Sequence, residues 1–139
     1  KLDIFGSYTF TDARFRKGTF GGVDVSGNTI PLVPRHSASA ASTLRITSKT
    51  RLSARINYVG KQIYDNDQAN SFSQRMPDYV TVDLKFAHQM ANWLLSLAVN
   101  NLFDEKYYSY GIRNGAGTSF SALPARKRNF WFTIKYQLN

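Results

Sequence analysis

From Phe130 to Leu138 the even positions are large and apolar: Phe130, Phe132, Ile134, Tyr136 and Leu138. Thr133, Lys135 and Gln137 between them are polar. Successive side chains of a strand point to opposite faces, so this period of two predicts a strand with one greasy face. Five more segments repeat the pattern. Leu2, Ile4, Tyr8 and Phe10 oppose Asp3, Ser7 and Thr9; Ala38, Ala40, Leu44 and Ile46 oppose Ser39, Thr43 and Arg45. Leu52, Ala54, Ile56 and Tyr58 oppose Ser53, Arg55 and Asn57, and Val80, Val82, Leu84 and Phe86 oppose Thr81, Asp83 and Lys85. Trp93, Leu95, Leu97 and Val99 oppose Ser96 and Asn100, with Leu94 on the wrong side. Each segment approaches the roughly 9–11 residues that cross a bilayer as a tilted strand. Nowhere does an apolar 3.6-residue period persist for three turns, so no helix is predicted.

The connections alternate in length. Residues 47–50 and 88–92 are short links; roughly 11–35, 61–76 and 109–127 are long ones. In an up-and-down sheet this alternation gathers every long loop at one end, the asymmetry of outer-membrane barrels. Loops of this length are otherwise uncommon in compact domains. The expected fold is all-β: an antiparallel up-and-down meander of about six long strands. Tyr58, Trp93, Tyr107, Tyr108, Phe130 and Tyr136 fall near strand ends, where amphipathic rings suit the headgroup level.

Composition adds limits. No run of eighteen apolar residues exists to make a transmembrane helix, and the first residues lack the apolar segment of a signal peptide. The mean hydropathy of −0.36 does not argue against a membrane barrel, because alternation averages to a mild value. The absence of cysteine excludes disulfides and thiolate metal sites. His36 and His88 are the only histidines and lie far apart in sequence, so neither a metal site nor a cofactor is expected. No G-x-S-x-G nucleophile occurs, and Asp104 and Glu105, as neighbours on extended chain, point apart. No catalytic residue is expected. Asp65-Asn66-Asp67-Gln68 with Asn70 reads as a solvated loop tip, lacking the glycine and distal glutamate of a calcium loop. Gly111, Gly115 and Gly117 read as flexible loop.

The formal net charge is +9. Arg45, Arg55, Lys85 and Lys135 fall on polar strand faces, whereas Arg14, Arg16, Lys17, Arg113, Arg126, Lys127 and Arg128 lie toward the long-loop end. Without a basic helix or a recognisable motif, nucleic acid is not an expected partner.

Three motifs in order carry a family resemblance. Ile30-Pro31-Leu32-Val33-Pro34-Arg35-His36 is similar to a "P-x-x-P-x-H" lead into a strand. Val99-Asn100-Asn101-Leu102-Phe103-Asp104-Glu105-Lys106-Tyr107-Tyr108 resembles an "N-L-F-D-x-x-Y" stretch, and Pro124-Ala125-Arg126-Lys127-Arg128-Asn129-Phe130 a proline–arginine lead into a final strand. Together they resemble the late part of the barrel of TonB-dependent outer-membrane receptors. The resemblance implies that residues 1–139 are the C-terminal portion of a barrel of about 22 strands, with the plug and about sixteen strands outside this chain. It implies active uptake of a ferric siderophore, or of haem, cobalamin or a glycan, with TonB acting only through the absent plug. The expected location is the bacterial outer membrane, among lipid and lipopolysaccharide. The expected ligand-binding residues are Arg45, Arg55, Lys85 and Lys135, with Tyr108, Tyr110 and Arg113 in the loops. Phe130, Phe132, Ile134, Tyr136 and Leu138 would form the signal read by the barrel-assembly machinery through strand addition. Such receptors usually end on an aromatic residue, whereas Asn139 follows Leu138 here. A soluble or surface β-sandwich binding a glycan or protein is the alternative; it would bury its greasy faces against each other. A small outer-membrane barrel enzyme with an outward-facing Ser/His site would have to use His36 or His88.

Overall fold

The computed structural model describes residues 1–138; Asn139 and its terminal role lie outside them. The strands are β1 (Leu2–Phe10), β2 (Thr19–Phe20), β3 (Val23–Asp24), β4 (His36–Arg45), β5 (Thr50–Val59), β6 (Tyr79–Met90), β7 (Trp93–Asn100), β8 (Tyr108–Arg113), β9 (Phe120–Pro124) and β10 (Asn129–Tyr136). β1, β4, β5, β6, β7 and β10 form one antiparallel sheet in chain order, the expected meander. β2–β3 and β8–β9 are separate hairpins inside the long connections.

Register turns the six alternations into one continuous face. Leu2 pairs with Leu44, Leu44 with Leu52, Leu52 with Phe86, Phe86 with Leu97 and Leu97 with Phe132, a row of apolar side chains across every strand. A slip of one residue in any strand would turn that strand's apolar set to the other face. Most of this row is exposed, and Phe130, Phe132 and Ile134 are each more than half exposed. No second sheet covers either face among the described residues, so the β-sandwich alternative is not what forms. Covering one Phe132-sized side chain is worth about 1.5–3 kcal/mol, so a bare face of this size is costly in water.

Aromatic rings mark both ends of the apolar face. Trp93 packs on Tyr136 at 4.6 Å beside Met90 at the short-turn end. Tyr8, Phe10, His36 and Tyr58 gather at the loop end, where Tyr8 and His36 share a 2.7 Å hydrogen bond. Two expected girdle residues are elsewhere: Tyr107 stacks on Tyr79 at 4.1 Å, and Tyr108 packs into the loops.

Three expectations about the connections change. β6 runs on through His88, Gln89 and Met90, leaving a two-residue turn at Ala91-Asn92 with Ala91 at φ 50°. The 109–127 segment contains the β8–β9 hairpin rather than flexible chain. Leu138 lies beyond the end of β10.

Candidate functional site

The opposite face is polar and dished. Ala41, Thr43, Ser53, Arg55, Asp83, Lys85, Ala98 and Asn100 line a depression of about 340 Å³ running across β4 to β7. Arg55 stands directly opposite Asp83 in the ladder, and Ser53 opposite Lys85. Arg45 lies nearer the short-turn end, within 3.3 Å of Asp3. Lys135 is on β10, four strands from Arg45, or roughly 19 Å at about 4.8 Å per strand. All four cations therefore share this face, but only Arg55 and Lys85 share one hollow.

Where the dish meets the loops, the Asn100-to-Asp104 stretch ties β7 to β10. Asn101 is almost fully buried with φ 53°, a left-handed conformation that asparagine tolerates better than most residues. Its backbone N–H donates to Asp83 (2.9 Å), its Nδ2 donates to the Glu105 carbonyl (2.9 Å), and its Oδ1 accepts from the Glu105 N–H (2.8 Å). Asp104 Oδ1 accepts from the Arg128 N–H at 2.9 Å, and Asn100 donates to Asn129 at 2.9 Å. Asn129 Oδ1 also accepts from the Trp131 indole at 2.8 Å. The two motifs that flank the last hairpin are thus halves of one fastening, and Asp104 serves structure. Asn57, Thr81, Asp83, Tyr107 and Arg126 line a further polar hollow of about 280 Å³ beside it.

Among the described residues the buried apolar side chains sit above the sheet, in the long connections, whereas the sheet buries only the polar Thr81 and Ser96. Tyr64, Phe72 and Met76 cluster there, with Leu32 and Tyr108 packed against them. Asp67, expected at a solvated tip, is fully buried. Its carboxylate accepts the Ser71 and Phe72 amides and lies 3.4 Å from Arg113 and 3.6 Å from Arg75. The polar spelling of this segment hides its burial, because its partners at 110–113 are some forty residues away. A weak cue existed in the Asp-x-x-x-Ser-Phe spacing, since an aspartate four and five residues ahead of free amides can accept both.

The three loop residues expected to meet ligand are held within this cluster. The Tyr110 hydroxyl donates to Asp65 at 2.5 Å; this hydrogen bond first, then burial and the carboxylate's charge, raises the phenol above its ordinary value. Arg113 donates to the Asn66 carbonyl (3.1 Å) and the Ser71 hydroxyl (3.0 Å). Gly111, expected to be flexible, lies in β8 against the Tyr64 ring. His36 and His88 stand at opposite ends of the apolar face, His88 bonded to Thr50 at 2.9 Å, so they form no joint site. Among the described residues no group of three His, Asp or Glu side chains is placed to hold a metal ion.

Residues 1–102 match the β-barrel family described as TonB dependent receptor-like. The chain is 30% identical over 119 residues to the metal-pseudopaline receptor CntO of Pseudomonas aeruginosa, covering 82% of this chain and 16% of the relative. The siderophore receptor PiuA from Acinetobacter baumannii has a similar structure, with TM-score 0.78 and 25% identity over 98% of this chain and 19% of that one. The ferric yersiniabactin uptake receptor FyuA from Yersinia pestis gives TM-score 0.64 and 30% identity over 79% and 17%. The chain spans less than a fifth of the length of these relatives. Its antiparallel meander of two-sided strands is that of a barrel segment, and the chain belongs to the TonB-dependent receptor β-barrel family.

Proposed function

We propose that this chain forms part of the wall of a bacterial outer-membrane receptor that takes up a ferric siderophore or a similar scarce nutrient, energised by TonB through a plug outside residues 1–139. The observation that carries this reading is the sidedness of the sheet: one continuous exposed apolar face, one dished polar face, and every long loop at the same end. The apolar face suits lipid and the dished face suits a wet lumen. The open edges of β1 and β10 support a place within a larger barrel, because unpaired backbone groups in hydrocarbon cost several kcal/mol each. The relatives CntO, PiuA and FyuA are receptors for metal or siderophore cargo by their names, which favours cargo of that class.

On this reading transport is binding followed by gated passage, with no bond made or broken in the cargo. Arg55 and Lys85, exposed on the dished face, would attract an anionic ferric chelate. Arg45 and Lys135 would extend the positive wall toward the periplasmic end. Tyr108, Tyr110 and Arg113 would shape the loop rim that cargo passes, since the polar atoms of Tyr110 and Arg113 are engaged with the second loop and Tyr108 packs against its apolar cluster. Basic residues at the loop end would meet lipopolysaccharide phosphates. Phe130, Phe132, Ile134 and Tyr136 would present the alternating face that the assembly machinery reads.

The test is uptake by the intact receptor, produced in iron-starved cells stripped of their own siderophore receptors. Radiolabelled ferric siderophores, offered as a panel, should include at least one that accumulates and whose accumulation stops when TonB is removed. Accumulation that persists without TonB, or failure of every ferric siderophore while another nutrient class enters, would overturn the reading.

A further inference from the structure

We infer that the three long connections form one prebuilt cap, fastened at Asp67, which opens as a unit and not loop by loop. The inference rests on the proposed function only for placing these loops at the outer surface.

The chain's densest burial lies in these loops. Val25 in the first loop, Tyr64, Phe72 and Met76 in the second, and Asn101 at the start of the third are each 5% exposed or less. The ties between loops use backbone groups. Asn70 accepts the Thr29 N–H at 2.8 Å and donates to the Thr29 carbonyl at 2.9 Å, satisfying both of its backbone groups as a neighbouring strand would. The Leu32 N–H donates to the Ile63 carbonyl at 3.0 Å. On the other side the second loop joins β8 as an added parallel bridge. The Asp65 N–H donates to the Gly111 carbonyl, and the Arg113 N–H to the Asp65 carbonyl, each at 2.9 Å. Tyr64 stacks on Phe120 of β9 at 4.6 Å.

Asp67 sits at the centre of these links. A buried carboxylate is tolerated only when paired and hydrogen-bonded. Here Arg113 comes from the third connection and Arg75 from the second, while the Ser71 and Phe72 amides come from the same loop. Swinging the second loop away from β8 would part Asp67 from Arg113, break both Asp65 backbone bonds and bare Tyr64 at one stroke. Swinging the first loop away would free Thr29 and Leu32 and uncover the cluster that Leu32 helps to close. Neither motion has a cheap intermediate, which makes opening cooperative.

Hydrogen exchange on the intact receptor in detergent, without ligand, tests this. Asn70→Ala removes both bonds to Thr29 and, within its own loop, the Asn70 Nδ2 bonds to the Asp67 and Gln68 carbonyls, so the Leu32 and Arg113 amides on the flanking connections carry the test. In a single cap, the amides of Leu32, Asp65, Phe72 and Arg113 should all exchange faster by a common factor of about tenfold, as Thr29 is released. Faster exchange confined to the first loop, with Asp65 and Arg113 at wild-type rates, would overturn the proposal. Asp67→Asn, which keeps the shape and removes the charge, should speed the same amides together. A change limited to Ser71 and Phe72 would count against a shared fastening. If that variant does not assemble, Asn70→Ala decides alone.

Discussion

Gly111 has an ordinary backbone conformation, yet a methyl group placed there would sit 2.6 Å from Tyr64 Cε1 and 3.2 Å from Met76 Sδ. Its lack of a side chain serves packing, not flexibility. Gly111→Ala should therefore cost about 1–3 kcal/mol of local stability, the usual range for overpacking. Limited proteolysis of the 60–78 segment at increasing temperature would register this, and unchanged resistance would contradict the packing account. Gly60 plays a similar part, since a Cβ there would meet the His36 carbonyl oxygen at 2.9 Å. Neither requirement is legible in sequence, because each depends on a residue of another loop or strand. Asp67 behaves alike as a charged side chain: four polar residues suggest a solvated tip, whereas Arg113 from another connection, with Arg75 and two amides of its own loop, makes it a buried, paired carboxylate.

At the scale of elements, all six long strands were readable, because a period of two survives averaging and the same face stays buried or bare along the whole length. The β8–β9 hairpin was not. Its strands are short, its register shifts between Tyr108 and Tyr110, and Gly115 and Gly117 give its tip the spelling of a flexible loop. The strand faces make a quantitative prediction. Leu97 lies in the apolar row, half exposed, whereas Thr133 on neighbouring β10 faces the dish. Leu97→Lys should cost roughly 2–4 kcal/mol if it lies at the bilayer midplane, and Thr133→Lys far less. Ser96, the immediate neighbour, is itself buried among polar-face side chains and would be an unfair control. Folding titrations of the receptor in lipid vesicles would compare the two, and equal costs would refute the face assignment.

For the whole molecule, the sheet makes sense only in company. Two open edges, a bare apolar face and a core confined to the loops leave a soluble six-stranded unit without the burial that normally offsets chain entropy. On the proposed reading, a bilayer on one face and further strands at both edges would supply what is missing. This much of the account was visible in sequence through the alternating loop lengths and three ordered motifs. A cargo site was less so, because the chain brings together only two of the four wall cations, and on the proposed reading the rest of a lumen would lie outside residues 1–139. On the proposed reading the even residues of β10 face lipid and the odd ones face water. With no cysteine in this chain, single cysteines can be placed at each position from 130 to 136 of the intact receptor and labelled with nitroxide in outer-membrane vesicles. Collision with dissolved oxygen should peak at 130, 132, 134 and 136, and collision with a water-soluble nickel chelate at 131, 133 and 135. Access to the chelate at every position, or an alternation of opposite phase, would contradict the account.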